Sequence, residues 1–129
     1  MARKKSPKPM LRYVILRHDL PAQADRGLHW DLMLAVDGTL KTWALDAEPA
    51  ATRSISATQL DDHRLAYLEY EGPVSGGRGH VTRWDHGSYE VRQWNENRIV
   101  VVLSGRRWRC RATVSHVDQA CWSVAFEDV

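Results

Sequence analysis

A chain of 129 residues with 43% apolar and 26% charged side chains has the length and composition of one soluble globular domain. Its formal charge of +2 is unevenly laid out: residues 1–10 hold four cations and no acid, residues 19–71 four cations against ten acids, and residues 78–111 eight against three. This layout excludes a uniformly basic histone-like protein and a disordered polyelectrolyte, and no apolar run approaches the roughly 18 residues of a membrane span.

In chain order, residues 1–10 (MARKKSPKPM) contain two prolines and no apolar pattern, and read as a flexible basic arm ahead of a single domain over 11–129. The stretch that follows is too short and interrupted for a signal peptide, so the expected location is cytoplasmic. From Leu11 the dominant period is two. Tyr13, Val14, Ile15 and Leu16 form a strand-type run. Over 29–34 the chain alternates, with Trp30, Leu32 and Leu34 on one face and His29, Asp31 and Met33 on the other. Asp37-Gly38 is a hairpin signal, after which residues 40–45 alternate again. Residues 46–62, rich in Ala, Ser and Thr, lack alternation and predict a long connection, with a helical turn only over 57–64.

Further strands are expected over 67–71, 80–84, 88–94, 98–103, 108–114 and 122–126. They are separated by turn chemistry at Asp85-His86-Gly87, Asn95-Glu96-Asn97 and Ser104-Gly105. The pattern predicts an all-β fold, a small antiparallel β-barrel of about eight strands with little helix. Trp30, Trp43 and Trp84 fall at inward-facing strand positions. Cys110 and Cys121 read as two small buried thiols kept reduced rather than as a disulfide.

Several groups can carry chemistry. His29 and Asp31, two apart on a strand, leave the same face about 7 Å apart. Imidazole and carboxylate suit a divalent cation, and His18 at the end of the first strand would complete a facial triad. A hydrogen-bonded His–Asp pair in a sheet, with His18 unrelated, stays open on spacing alone. His63 follows two acids, with Tyr67 four residues on: a general acid or oxyanion donor beside a phenol, or a surface turn. The glycine-rich stretch 72–79 precedes a strand, not a helix, which argues against a P-loop and leaves a backbone anion nest or a tight turn. Fourteen of the 18 cations are Arg, and Arg107, Arg109 and Arg111 share one face of a predicted strand, as a phosphate-contacting stripe or a solvated outer face.

Together these segments resemble a known family. RYVILRHD at 12–19, LHWDLML at 28–34 and DGTLKTWA at 37–44 look like the 3′-phosphoesterase domain of bacterial and archaeal DNA ligase D, as do DDHRLAY at 61–67, YEGP at 70–73 and VTRWDHG at 81–87. The resemblance implies a small β-barrel with an internal metal site that cleans 3′ ends of DNA in repair, removing a terminal ribonucleoside and then a 3′-phosphate. It implies His18, His29 and Asp31 as metal ligands, with manganese the expected ion and zinc or another transition metal as alternatives. It implies His63 at the scissile phosphate, as oxyanion stabiliser or acid, with Tyr67 positioning it.

The chain also departs from the family pattern. Met33 replaces the family Arg and Ala35 the family Glu, and the spacer at 20–27 is longer. Arg26, Arg78 and Arg83 become the candidate phosphate contacts, and Arg107, Arg109 and Arg111 the DNA track. A catalytically weakened DNA-end or ligase-binding module of the same fold is the alternative. A metal-dependent barrel enzyme acting on a small molecule is a third reading. The expected partners are DNA 3′ ends and a separate ligase or polymerase, for a protein expected to be a monomer away from membranes.

Overall fold

Alternation along β1 (Leu11–Asp19) sends Tyr13 and Ile15 into one apolar cluster and Val14 and Leu16 into another. The same division runs along β2 (His29–Val36), where Leu32 and Leu34 take one side and Met33 the other. These assignments come from a computed structural model that describes residues 11–21, 27–51 and 53–129; the expected basic arm and Arg26 lie outside the described residues. The remaining strands are β3 (Thr39–Leu45), β4 (Ser54–His63), the two-residue β5 (Gly72–Pro73), β6 (His80–Trp94), β7 (Arg98–Gly105), β8 (Arg109–Asp118) and β9 (Cys121–Asp128). One 3-10 turn, Leu65–Leu68, interrupts them.

The sheet runs β1-β2-β3-β4-β9-β8-β7-β6 and closes where β6 pairs with β1, giving an eight-stranded antiparallel barrel with β5 appended to the start of β6. Closure leaves the ring no long unpaired edge. The interior cluster takes residues from every ring strand, among them Tyr13, Leu32, Trp43, Ile55, Tyr89, Val101, Ala112 and Phe126. Burying side chains of this size stabilises the fold by roughly 1.5–3 kcal/mol each.

The second cluster, Val14, Leu16, Met33, Leu40, Leu68 and Val81, lies on the outer wall of β1, β2, β3 and β6. The 3-10 turn and the chain running on to β6 cover it, with Tyr67 and Val74 packed against it. Tyr13–Leu16 is therefore buried on both faces, which explains a continuous apolar run in place of clean alternation.

Three local expectations are corrected. The segment read as a connection with a helical turn over 57–64 contains β4, which pairs with β3 on one side and β9 on the other. Its inward positions carry Ile55 and the small Ala57, too weak an apolar signal to show in the sequence. The strand expected over 67–71 is a 3-10 turn instead, beginning at Leu65. Asp85-His86-Gly87 is no turn but the middle of the 15-residue β6, which bulges at Trp84 so that one strand serves both β1 and β7. The hairpin at Asp37-Gly38 is present, with φ of 52° and 80°, the two positive values that a type I′ turn requires. Both cysteines are free; Cys110 is buried as expected, whereas Cys121 is exposed on the outer face of β9. Among the described residues no helix is long and apolar enough to cross a membrane.

Candidate functional site

The β1–β2 register sets His18 opposite His29 and Leu16 opposite Asp31, so His18, His29 and Asp31 rise from adjacent rows of one face. That face is the outer wall, shared with Met33 and the second cluster. The triad therefore does not occupy the barrel interior, as an internal site would require. His29 and Asp31 are nonetheless almost fully buried, at 4% and 3% exposure. One donor atom from each of the three residues lies within 4.8 Å of the others.

Two backbone carbonyls fix the imidazoles. A carbonyl oxygen only accepts, so His29 Nδ1 donates to the Gly27 oxygen at 2.9 Å and His18 Nε2 to the Arg78 oxygen at 2.7 Å. Each neutral ring then turns a lone pair toward Asp31: His29 Nε2 stands 3.1 Å from Oδ1, and His18 Nδ1 3.4 Å from Oδ2. Asp31 Oδ1 is buried and accepts no hydrogen bond. Lone pairs facing a carboxylate call for a cation between them. Imidazoles whose other nitrogen is held by a carbonyl are the usual outer support of a metal site. The donor set fits a divalent metal ion.

Without the ion, protons take its place. The hydrogen bond to Asp31 and the Arg78 carbonyl raise the His18 pKa above its ordinary value, against the opposing pull of burial. Burial alone would push Asp31 up, but the facing imidazoles of His18 and His29 outweigh it and hold the carboxyl below its usual range.

Gly79 brings the covering segment onto this site. Its φ is +87°, and a Cβ there would stand 1.9 Å from the Asp19 carbonyl oxygen, so only glycine lets the Arg78 carbonyl approach His18.

His63 lies on the same outer wall, opposite Leu40 across β3 and β4. Its Nδ1 donates to the Asp61 carbonyl at 2.8 Å, leaving Nε2 available. Tyr67 meets the imidazole edge to face at 5.7 Å, and Tyr70 continues the stack at 5.8 Å. Beside them lies a cavity of about 300 Å³ lined by Arg64, Tyr67, Tyr70, Val74 and Ser75, among others. By register, Met33 and Leu40 stand between His63 and the triad. Met33 is 1% exposed there.

Residues 18–116 match the family described as the DNA Ligase D 3′-phosphoesterase domain, a span that contains the triad, His63 and Tyr67. The chain belongs to this family. It is 37% identical over 91 residues to the multifunctional non-homologous end joining protein LigD of Pseudomonas aeruginosa, covering 67% of this chain and 10% of that protein. It is 31% identical over 103 residues to the multifunctional non-homologous end joining DNA repair protein LigD of Mycobacterium tuberculosis, covering 73% of this chain and 14% of that protein. A LigD of Mycolicibacterium smegmatis is 29% identical over 112 residues, covering 74% and 14%. The chain thus spans between a tenth and a seventh of the length of these curated relatives.

The DNA ligase D phosphoesterase fold does not gather all the arginines singled out in the sequence. Arg78 supplies its carbonyl to His18, while its guanidinium donates to the Ser75 backbone and hydroxyl oxygens. Arg83 points outward in the Leu16 row, beside the triad. Arg107 does not share a strand face with Arg109 and Arg111. It lies in the turn before β8, its guanidinium 4.2 Å from the Trp84 ring and its Nε donating to the Trp84 carbonyl. Arg109 and Arg111 stand on the outer face of β8, four strands from β2 in either direction round the ring, with Arg111 paired to Glu127. They cannot converge on the triad.

Sequence reasoning missed the carbonyls of Gly27 and Arg78, since a backbone acceptor leaves no mark in residue type. It also missed Asp85, buried at 3%, whose carboxylate accepts from Tyr13 Oη and from the backbone N–H groups of His86 and Arg107.

Proposed function

We propose that this protein is a metal-dependent phosphoesterase that trims the 3′ ends of DNA during end joining, acting on a 3′-phosphate or a 3′-terminal ribonucleoside. Family membership supports the reaction class, and the Asp31 carboxylate faced by two imidazole lone pairs is the observation that carries the metal dependence. His18, His29 and Asp31 would hold the ion, with manganese the expected metal. Bound there, a divalent ion supplies Lewis-acid polarisation of a phosphoryl oxygen.

The chain's own groups do the rest. In hydrolysis of a 3′-phosphate the oxygen of water bonds to phosphorus as the P–O3′ bond breaks, and the departing O3′ takes up a proton. His63 would give it. With Nδ1 tied to the Asp61 carbonyl, only Nε2 can carry a transferable proton toward substrate. Tyr67, packed edge-on against the ring, fixes its plane. The nearly complete burial of His29 and Asp31 keeps bulk water from the ligands. Work on DNA ends fits a cytoplasmic protein that hands its product to a ligase.

A second reading, a DNA-end-binding module with weakened catalysis, is favoured by one observation: Met33 fills the wall between the triad and His63 with an apolar side chain. Incubation with manganese and a duplex primer ending in 3′-phosphate decides between them. Phosphate release that disappears in His29→Ala supports the enzyme. Metal bound without turnover, even at high protein concentration, supports the module.

A further inference from the structure

The register across β2, β1 and β6 places Asp31, Leu16 and Arg83 in one row of the outer wall. Two strand spacings put the Arg83 backbone about 10 Å from that of Asp31. Arg83 Nε is buried and has no hydrogen-bond partner. Glu71 accepts the backbone N–H of Arg83 at 2.8 Å, and among the described residues no carboxylate forms an ion pair with its guanidinium. A donor left unmatched within the chain is open to an acceptor from outside it.

The next outward position of β6 in the closed register is His86, opposite Val14, which in turn faces Met33. The turn after β7 folds back here, the backbone N–H of Arg106 donating to the His86 carbonyl at 3.2 Å. Arg106 is exposed and pairs with no acid among the described residues. Burial, then the charges of Arg83 and Arg106, lower the His86 pKa below its ordinary 6.5, which marks a cationic field on this face. The neighbouring carboxylate of Asp85 does not cancel it, being turned to Tyr13 and backbone donors. Arg12 lies on the same wall but is paired with Glu69.

We propose that the outer face of β6 at Arg83, His86 and Arg106 carries the phosphodiester backbone of the DNA strand whose 3′ end lies at His18, His29 and Asp31. The Arg83 guanidinium contacts the phosphate nearest the triad, and Arg106 contacts one further along. This inference rests on the reading of the protein as a DNA 3′-end phosphoesterase. It assigns the strand to the wall that holds the triad, and not to Arg109 and Arg111 across the ring.

The test is the anisotropy of a labelled hairpin duplex with a 3′-phosphate, titrated with the full chain at several sodium chloride concentrations. Arg83→Gln and Arg106→Ala should each weaken binding about tenfold at low salt and reduce the slope of log affinity against log salt by about 0.9. The pair Arg109→Ala/Arg111→Ala should leave the slope unchanged. Arg106 is exposed, so its variant keeps the test open even if Arg83→Gln fails to fold. Unchanged slopes in Arg83→Gln and Arg106→Ala, a loss confined to the Arg109/Arg111 pair, or no salt-dependent binding by the unsubstituted protein would overturn the proposal. Binding that depends on Arg83 and Arg106 without any phosphate release would uphold the surface and sink the catalytic reading alone.

Discussion

His29 Nε2 lies 3.1 Å from Asp31 Oδ1 while its other ring nitrogen is anchored by the Gly27 carbonyl. The anchor fixes the tautomer, the tautomer points a lone pair at a carboxylate, and the two acceptors can only be reconciled by a proton or a metal ion. An alternating strand supplies the spacing; the loop before β2 supplies the carbonyl.

Metal should therefore bind the folded state and stabilise it. At a free manganese concentration 100 times the dissociation constant the gain is about 2.7 kcal/mol, which for a chain of this size raises Tm by roughly 10 °C. Differential scanning calorimetry with and without manganese measures this. His29→Ala should show no shift, and equal melting of the unsubstituted protein with and without manganese or zinc would remove the metal assignment.

Protons should compete with the ion. In the metal-free protein the His18 pKa is raised above 6.5, so its contact with Asp31 stabilises fully below 6.5 and fades as pH rises through the raised value. Asp31 is shifted the other way: its contribution is present above 3.8 and fades as pH falls through the lowered value. Metal needs His18 neutral, so affinity should fall as pH drops through the raised His18 pKa. Calorimetric titrations with manganese from pH 5.5 to 8.5 should show affinity rising with pH and protons released on binding; a flat profile would contradict the ligand role of His18.

Asp85→Ala should unsettle the barrel without touching the triad. It strands the Tyr13 hydroxyl and two backbone N–H groups in a site that is 3% exposed. Unsatisfied buried donors cost about 1–3 kcal/mol each, so a loss of about 3 kcal/mol or more is expected in urea unfolding. Asp85→Asn keeps an acceptor and should cost less. Equal losses in the two variants would show that the bonds matter less than the shape of the side chain.

Much of this was legible in residue order, and the gaps have physical causes. Trp30, Leu32 and Leu34 alternating with His29, Asp31 and Met33 gave both the strand and the shared face of the ligands, because side-chain direction follows directly from period two. That the ligand face is the outer wall was not legible. β1 and β2 are buried on both sides, and apolarity alone does not say which side encloses the barrel. β4 escaped because Ala57 packs inward where a larger residue would have revealed alternation. Asp85-His86-Gly87 has turn composition, but Asp85 is committed to buried donors and Gly87 sits where a Cβ would meet the Ser104 carbonyl at 2.0 Å. The stripe of Arg107, Arg109 and Arg111 failed because the strand begins only at Arg109.

The two thiols should differ sharply. Burial, then the charges of Asp85 and Asp128, push the Cys110 pKa up to about 12, while Cys121 is exposed. The thiolate is the reactive form. Iodoacetamide at pH 7.5 should modify Cys121 alone in the native protein and both residues after unfolding, as read by peptide mass spectrometry. Native labelling of Cys110 at a comparable rate would show that the β8–β9 wall opens locally.

Met33→Arg tests what the apolar wall between the triad and His63 does. Met33 packs with Val14, Leu16, Leu40, Leu68 and Val81 under Tyr67, at 1% exposure. A guanidinium there loses its hydration and breaks the cluster, which should lower stability by a few kcal/mol in urea unfolding. Inorganic phosphate or a 3′-phosphorylated strand should restore part of that loss, since an anion lodged between His63 and the triad would pair with the new charge. Under the phosphoesterase reading the variant should release phosphate at least about tenfold faster, one such factor corresponding to about 1.4 kcal/mol of transition-state stabilisation. A loss of stability that phosphate does not relieve would mean that substrate never reaches the wall between these residues, and the catalytic role of His63 would fall with it.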